Sequence, residues 1–240
     1  NNYENNKFFK QVKSYYINLD HKTQRRKHAE KSFKKQKLNV ERVSAINGRQ
    51  LNLDDPNYQK YLGYTKDWYK QDIRRQGHFG LFLTMLKIYD MGINGDSEYL
   101  IIFEDDVEFL THNFKELVTK TVQNAPDDWD IILFGYNIND DDTYQNINLK
   151  LSNGLINITF FQGLHAHIIK KSSLQKIKQE TEKHRWLHDW SIAFGAEKGI
   201  IKIYGTFLPI VCAPGMQQIK TNHLDYKYDC KIDLGGVMDP

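Results

Sequence analysis

A chain of 240 residues suits one α/β domain and can bury roughly 70% of its unfolded surface without disulfides or metals as staples. Hydrophobic residues at 40% and aromatics at 13% exclude a disordered chain, and a net charge of +3 is too small to name a partner. Two cysteines, Cys212 and Cys230, exclude a disulfide framework and a thiolate zinc site. No apolar run reaches the length of a membrane span and no leader opens the chain; the compartment stays open, with the cytoplasm the first expectation.

In chain order, residues 1–12 read as a polar lead-in, and residues 13–235 as a single domain without repeats or linkers. Val12 to Leu19 is β-prone and stops at Asp20. His21 to Lys37 is rich in long charged side chains, which favours a helix capped near Asp20. The basic stretch from Lys7 to Lys37 is either a solvated helix face or a surface for an anionic partner. Val40 to Ile46 reads as a short strand closed by the turn pair Asn47-Gly48. The connection that follows, up to Asp72, is long enough to be functional or to hold a short helix of its own. Phe79, Phe82, Leu83, Leu86 and Tyr89 have helical spacing within Gly77 to Met91, ending at Gly92.

Tyr99 to Phe103 is a continuous apolar run, the pattern of a strand buried on both faces. Phe114 to Val122 reads as a helix and Asp130 to Phe134 as a second buried strand. Further strands are expected at 156–160, 165–169 and 200–204, and helices near 172–183 and 189–197. This alternation predicts an α/β fold with a mixed, mostly parallel, Rossmann-like sheet flanked by helices.

The chemistry concentrates at Glu104-Asp105-Asp106, three acids directly after five apolar residues. Ligands of open α/β sheets bind beyond the carboxyl ends of the strands. Alternation along an extended chain would send Glu104 and Asp106 to one side and Asp105 to the other. Crowded carboxylates suit a divalent cation such as Mn²⁺ or Mg²⁺, which also binds diphosphate oxygens. The first strand leads into Arg25-Arg26, a plausible nucleotide cradle. Gly77 and Gly80 permit close backbone approach to a ligand or to a neighbouring element. His165 and His167 fall on one side of a strand, where they are either a metal pair or packed side chains.

Ile17-Asn18-Leu19-Asp20 with Arg25-Arg26, then Ala45-Ile46-Asn47-Gly48, Gly77-His78-Phe79-Gly80 and Phe103-Glu104-Asp105-Asp106 resemble glycosyltransferase family 25. The resemblance continues through Asp128 to Leu133, Gly163 to Ile169 and Leu187-His188-Asp189-Trp190. It implies a GT-A-like fold, a UDP-sugar donor and Mn²⁺ dependence. On it, Ile17, Asn18, Leu19, Arg25, Gly77, Gly80, Glu104 and Asp105 would hold the donor. Glu104, Asp106 and, from a late polar loop, His223 would hold the metal. Asp189 is the candidate base or acceptor contact, flanked by Trp186 and Trp190, and Asp105 is a second candidate catalytic carboxylate. One departure stands out: Thr84-Met85 occupies the place of the family's usual Ser-His pair.

The expected function is therefore metal-dependent hexose transfer from a UDP-sugar to a hydroxyl of a glycan or hydroxylysine-type acceptor. The alternative is a GT-A-fold binding or scaffold protein without turnover. A metal nuclease or phosphatase would want acids on several strand ends, and only one such cluster is evident. Nucleic acid is not an expected partner.

Overall fold

The computed structural model describes residues 2–137, 154–206, 210–212, 219–221 and 224–226. His223 and Cys230 lie outside the described residues, and of Cys212 only the backbone is described.

The chain opens with helix α1 (Asn2–Phe9), so the polar lead-in carries a helix. The reason is Phe8 and Phe9, which pack on the core beside Val12 and Tyr99. Strand β1 (Val12–Asn18) then enters the sheet, followed by α2 (Thr23–Lys35) and β2 (Glu41–Ser44). Arg25, Ala29 and Phe33 recur every four residues and form the buried stripe of α2, while its lysines face solvent. Asp20 does not cap this helix. Lys22 occupies the cap position, and Asp20 instead accepts from the guanidinium of Arg42 and, at 2.8 Å, from the Ser44 hydroxyl.

The long connection carries short helices, including α3 (Gln59–Leu62) and α4 (Lys66–Lys70), anchored by buried Leu53, Leu62 and Tyr69. Asp72 caps α5 (Ile73–Asn94) by accepting from the backbone N–H of Arg74 at 2.8 Å. Helix α5 runs through Gly92 and ends only at Gly95. Then come β3 (Tyr99–Phe103), the short β4 (Glu108–Phe109), α6 (Phe114–Gln123), β5 (Ile131–Asn137), β6 (Leu155–Ile158) and β7 (Gln162–Lys170). The helices α7 (Lys171–His184) and α8 (His188–Glu197) precede β8 (Ile203–Thr206) and β9 (Val211–Cys212). An antiparallel pair, Ile219–Thr221 with Leu224–Tyr226, completes the described elements.

Seven strands form one sheet in the order β2-β1-β3-β7-β5-β8-β6. It is mixed and mostly parallel: β1, β2, β3, β5 and β8 run one way, and only β7 and β6 run the other. β1 runs parallel to β2 and β3, and β5 to β8, while β7 is antiparallel to both β3 and β5, and β6 to β8. Residues alternate between two cores. Leu100, Ile102, Leu133 and Ile169 face α5, α7 and α8, whereas Ile101, Phe103, Phe134 and Ile168 face α2 and α6. The result is a three-layer α/β/α domain whose parallel β1 and β3 both end at one rim.

Candidate functional site

At that rim a cleft with roughly 920 Å³ of empty space, its open mouth included, lies among the ends of β1 and β3, the start of α2 and the Ala45–Arg49 turn. Ile17, Ile46 and Leu81 give it an apolar flank, while Lys22, Arg25 and Arg49 supply cationic groups. Opposite them stand Glu104, Asp105 and Asp106. Of the donor-holding residues expected from the sequence, Ile17, Asn18, Leu19, Arg25, Gly77, Glu104 and Asp105 line this cleft.

Gly80 serves a different purpose. A Cβ there would stand 2.3 Å from the carbonyl oxygen of Ile46 and 2.4 Å from the Gly48 nitrogen, so it admits the turn against α5 rather than a ligand. Gly48 is the reciprocal half of this contact, its missing Cβ falling 1.7 Å from the carbonyl oxygen of Gln76. Thr84 fastens the same joint, donating to the Gly80 carbonyl at 2.7 Å and accepting from the Ile46 N–H at 2.9 Å. Met85, the other half of the sequence departure, is 2% exposed in the core and does not line the cleft.

The acids do not alternate as an extended chain would place them. The chain turns after Phe103, and Asp105 and Asp106 both reach the Arg25 guanidinium while Glu104 goes to β7. Arg25 Nη2 lies 2.9 Å from Asp105 Oδ1 and also contacts Asp106 Oδ2. Asp105 Oδ2 accepts from the Asn18 amide at 2.6 Å, and Asn18 is itself held by Arg42 Nε at 3.0 Å. Arg42 is a residue that sequence reasoning missed; only its place on the half-buried edge strand β2 hinted at it. Glu104 Oε2 lies 2.8 Å from His165 Nδ1.

Burial pushes the Asp106 carboxyl up to about 6; the charge of Glu104 adds to this and Arg25 opposes it. Burial likewise raises Asp105 against the pull of Arg25. Glu104 is pushed up by burial too, but the neighbouring His165 outweighs this and leaves it lowered. His165 is correspondingly raised, since Glu104 overcomes its burial. His167, on the same face of β7, is wholly buried, with the Leu164 backbone and the charge of Glu104 only partly offsetting that burial.

Asp189 stands at the start of α8, accepting from the Gly163 N–H at 2.8 Å and from the Trp190 N–H at 2.9 Å. Burial raises its pKa, against those two bonds and the charge of His78. Trp186 packs on Trp68 at a tilt of 33° with centroids 4.7 Å apart, and Trp190 meets Phe160 at 6.3 Å. Both tryptophans are thus partly spent on packing.

The donor set fits a hard divalent cation in part. Asp106 Oδ1 is a buried carboxylate oxygen without a hydrogen-bond partner. Yet among the described residues no three Asp, Glu, His or Cys side chains converge as a ready metal cluster.

Residues 11–193 match the family described as Glycosyltransferase family 25 (LPS biosynthesis protein). The chain belongs to glycosyltransferase family 25. A glycosyltransferase 25 family member of Aedes aegypti is 31% identical to this family 25 chain over 126 residues. Procollagen galactosyltransferase 2 of Homo sapiens is 31% identical over 127 residues. Each match covers 50% of this chain and 20% of the relative, so the chain spans about a fifth of the length of the curated relatives it matches. Among solved structures, a glycosyltransferase involved in the glycosylation of the major capsid of PBCV-1 is similar over 85% of this chain and 92% of its own, with 9% identity and a TM-score of 0.46. UDP-glucose pyrophosphorylase complexed with UDP-glucose is similar over 81% and 89%, with 11% identity and the same TM-score of 0.46. Likeness of that degree says nothing about ligands. Among the described residues, no helix of this family 25 chain is long and apolar enough to cross a membrane.

Proposed function

We propose that this chain transfers a hexose from a UDP-sugar to a hydroxyl of a glycan or hydroxylysine-type acceptor. The observation that carries the proposal is the rim cleft, where cationic Lys22, Arg25 and Arg49 and an apolar flank meet three acids at the end of β3. A diphosphate suits the first group, a nucleoside the second and a divalent cation the third. Family membership and the printed name of the human relative, a galactosyltransferase, support the reaction class.

In this reaction the acceptor oxygen bonds to the anomeric carbon as the bond from that carbon to the diphosphate oxygen breaks. The departing UDP keeps the electron pair. Mn²⁺ or Mg²⁺ held by Asp106 and Glu104, with His223 as the proposed further ligand, would supply the neutralising charge on that leaving group. Asp189 takes the hydroxyl proton: its burial makes it a stronger base than an exposed aspartate. Asp105 positions Arg25 and Asn18 through the contacts described above.

Asp106→Ala should keep a native circular dichroism spectrum while losing both metal-dependent UDP-sugar binding and turnover. Full activity in that variant would remove the metal assignment. The alternative is a binding protein without turnover. Its favouring observation is that Arg25 and His165 already neutralise much of the acidic triplet. Slow metal-dependent hydrolysis of the donor by the wild-type chain, absent from Asp106→Ala, excludes that alternative.

A further inference from the structure

The way Arg25 holds the acids is unusual for an arginine that is only structural. A buried guanidinium normally meets a carboxylate as a fork, with two parallel N–H donors on its two oxygens. Here the single nitrogen Nη2 serves Asp105 and Asp106 together, while Nε is buried without a partner. Asp106 uses only Oδ2 on Arg25, and its Oδ1 has no partner either. Donor and acceptor capacity thus lie idle on both sides of one buried ion pair. Leaving such groups unpaired is costly, so the arrangement favours any ligand that completes both. A diphosphate offers the fork that Nε lacks, and a divalent cation offers the charge that Asp106 Oδ1 lacks. Arg25 sits in the first turns of α2, where its stem reaches both the acids and the cationic side of the cleft.

We propose that Arg25 is an exchangeable counter-ion: it guards Asp105 and Asp106 while the cleft is empty and turns to the donor's phosphates when nucleotide diphosphate and divalent cation occupy the cleft together. The inference rests on the metal and nucleotide reading of the same cleft. Its consequence is mutual tightening of the two ligands. Arg25 suppresses cation binding until a nucleotide diphosphate draws its guanidinium away, so each ligand tightens the other.

The test is Mn²⁺ titration followed by electron paramagnetic resonance, with and without UDP, corrected for Mn²⁺ held by UDP in solution. Wild-type protein should bind Mn²⁺ at least tenfold more tightly with UDP than without it. Arg25→Gln removes the guard and should bind Mn²⁺ alone at least tenfold more tightly than wild type. An unchanged or weaker Mn²⁺ affinity in that variant, with UDP coupling intact in wild type, overturns the inference and leaves the metal reading standing. No Mn²⁺ binding by wild type even with UDP overturns the metal reading, and this inference with it. Because Arg25→Gln strands two buried acids and can impair folding, Arg25→Lys provides the second arm. Its ammonium still guards the acids but offers phosphate no fork, so the tightening by UDP should fall at least fivefold. Wild-type tightening in Arg25→Lys overturns the proposal.

Discussion

His167 shows how much a buried polar residue can cost when little answers it. Both ring nitrogens are buried, and burial lowers its pKa to about 4 against the opposing pull of the Leu164 backbone and the charge of Glu104. Its neighbour His188 is lowered to about 3, by burial and then by the nearby charge of His167, and lies 2.7 Å from the Tyr89 hydroxyl. A histidine whose folded pKa lies below its unfolded value of ~6.5 binds protons more readily in the unfolded chain. Stability therefore falls as pH drops from about 6.5 toward 4 and rises as pH is raised through that window. For His167 alone the span is on the order of 3 kcal/mol. His167→Leu removes two poorly answered polar atoms at similar volume, so it should be at least as stable as wild type at pH 7. It should also lose less stability than wild type between pH 6.5 and 4, with His188 supplying the remainder. Urea unfolding at pH 7, 5.5 and 4.5 measures both effects. A variant with the wild-type pH dependence would mean that His167 titrates normally in the fold.

The joint between α5 and the turn after β2 decides where one wall of the cleft stands. Gly48 and Gly80 meet backbone to backbone, and the Thr84 hydroxyl ties Ile46 to the same helix. Gly80→Ala puts a methyl carbon 2.3 Å from a carbonyl oxygen and 2.4 Å from a backbone nitrogen, neither of which can swing aside as a side chain can. The turn must shift, at a cost of about 2 kcal/mol. A lower urea midpoint together with weaker UDP affinity is expected; wild-type values of both would show that the turn is free of the helix. Glycines at 48, 77 and 80 were visible in the sequence, but not which of them faced ligand and which faced backbone. The same limit applies more widely. The apolar run from Tyr99 to Phe103 is legible as a strand because both its faces are buried, yet burial on both faces is silent about strand direction. Hence the antiparallel β7 between β3 and β5 could not be read. The short helices before α5 hold three to five residues each, too few for a period to show. The acidic triplet was legible, whereas its bond to Arg25, 81 residues earlier, depends on a turn that breaks the alternation assumed for an extended chain.

Across the whole domain, the two ends of the sheet have different tasks. The parallel strands β1 and β3 open their carboxyl ends to the cleft, and β5 runs in the same direction because β7 is antiparallel to both β3 and β5. Asp130, just before β5, therefore lies at the opposite rim. It is 5% exposed and accepts from the Ser173 hydroxyl at 2.6 Å, the Lys176 ammonium at 2.6 Å and the Lys202 N–H at 2.8 Å. One carboxylate thus ties the sheet to α7 and to the segment entering β8. Lys176 is 42% exposed on its side chain, so water screens the ionic part and the two other donors carry most of the effect. Asp130→Ala leaves those two donors without their acceptor, each worth ~1–3 kcal/mol, and should cost about 3 kcal/mol in total. Because the loss falls at the rim away from Arg25 and Asp106, UDP and Mn²⁺ affinities of the folded variant should equal those of wild type. Urea unfolding and ligand titration below the unfolding transition check the two halves of this expectation. A fall in ligand affinity matching the fall in stability would mean that the rims are coupled through the sheet, and that the cleft depends on the packing of α7 as much as on its own side chains.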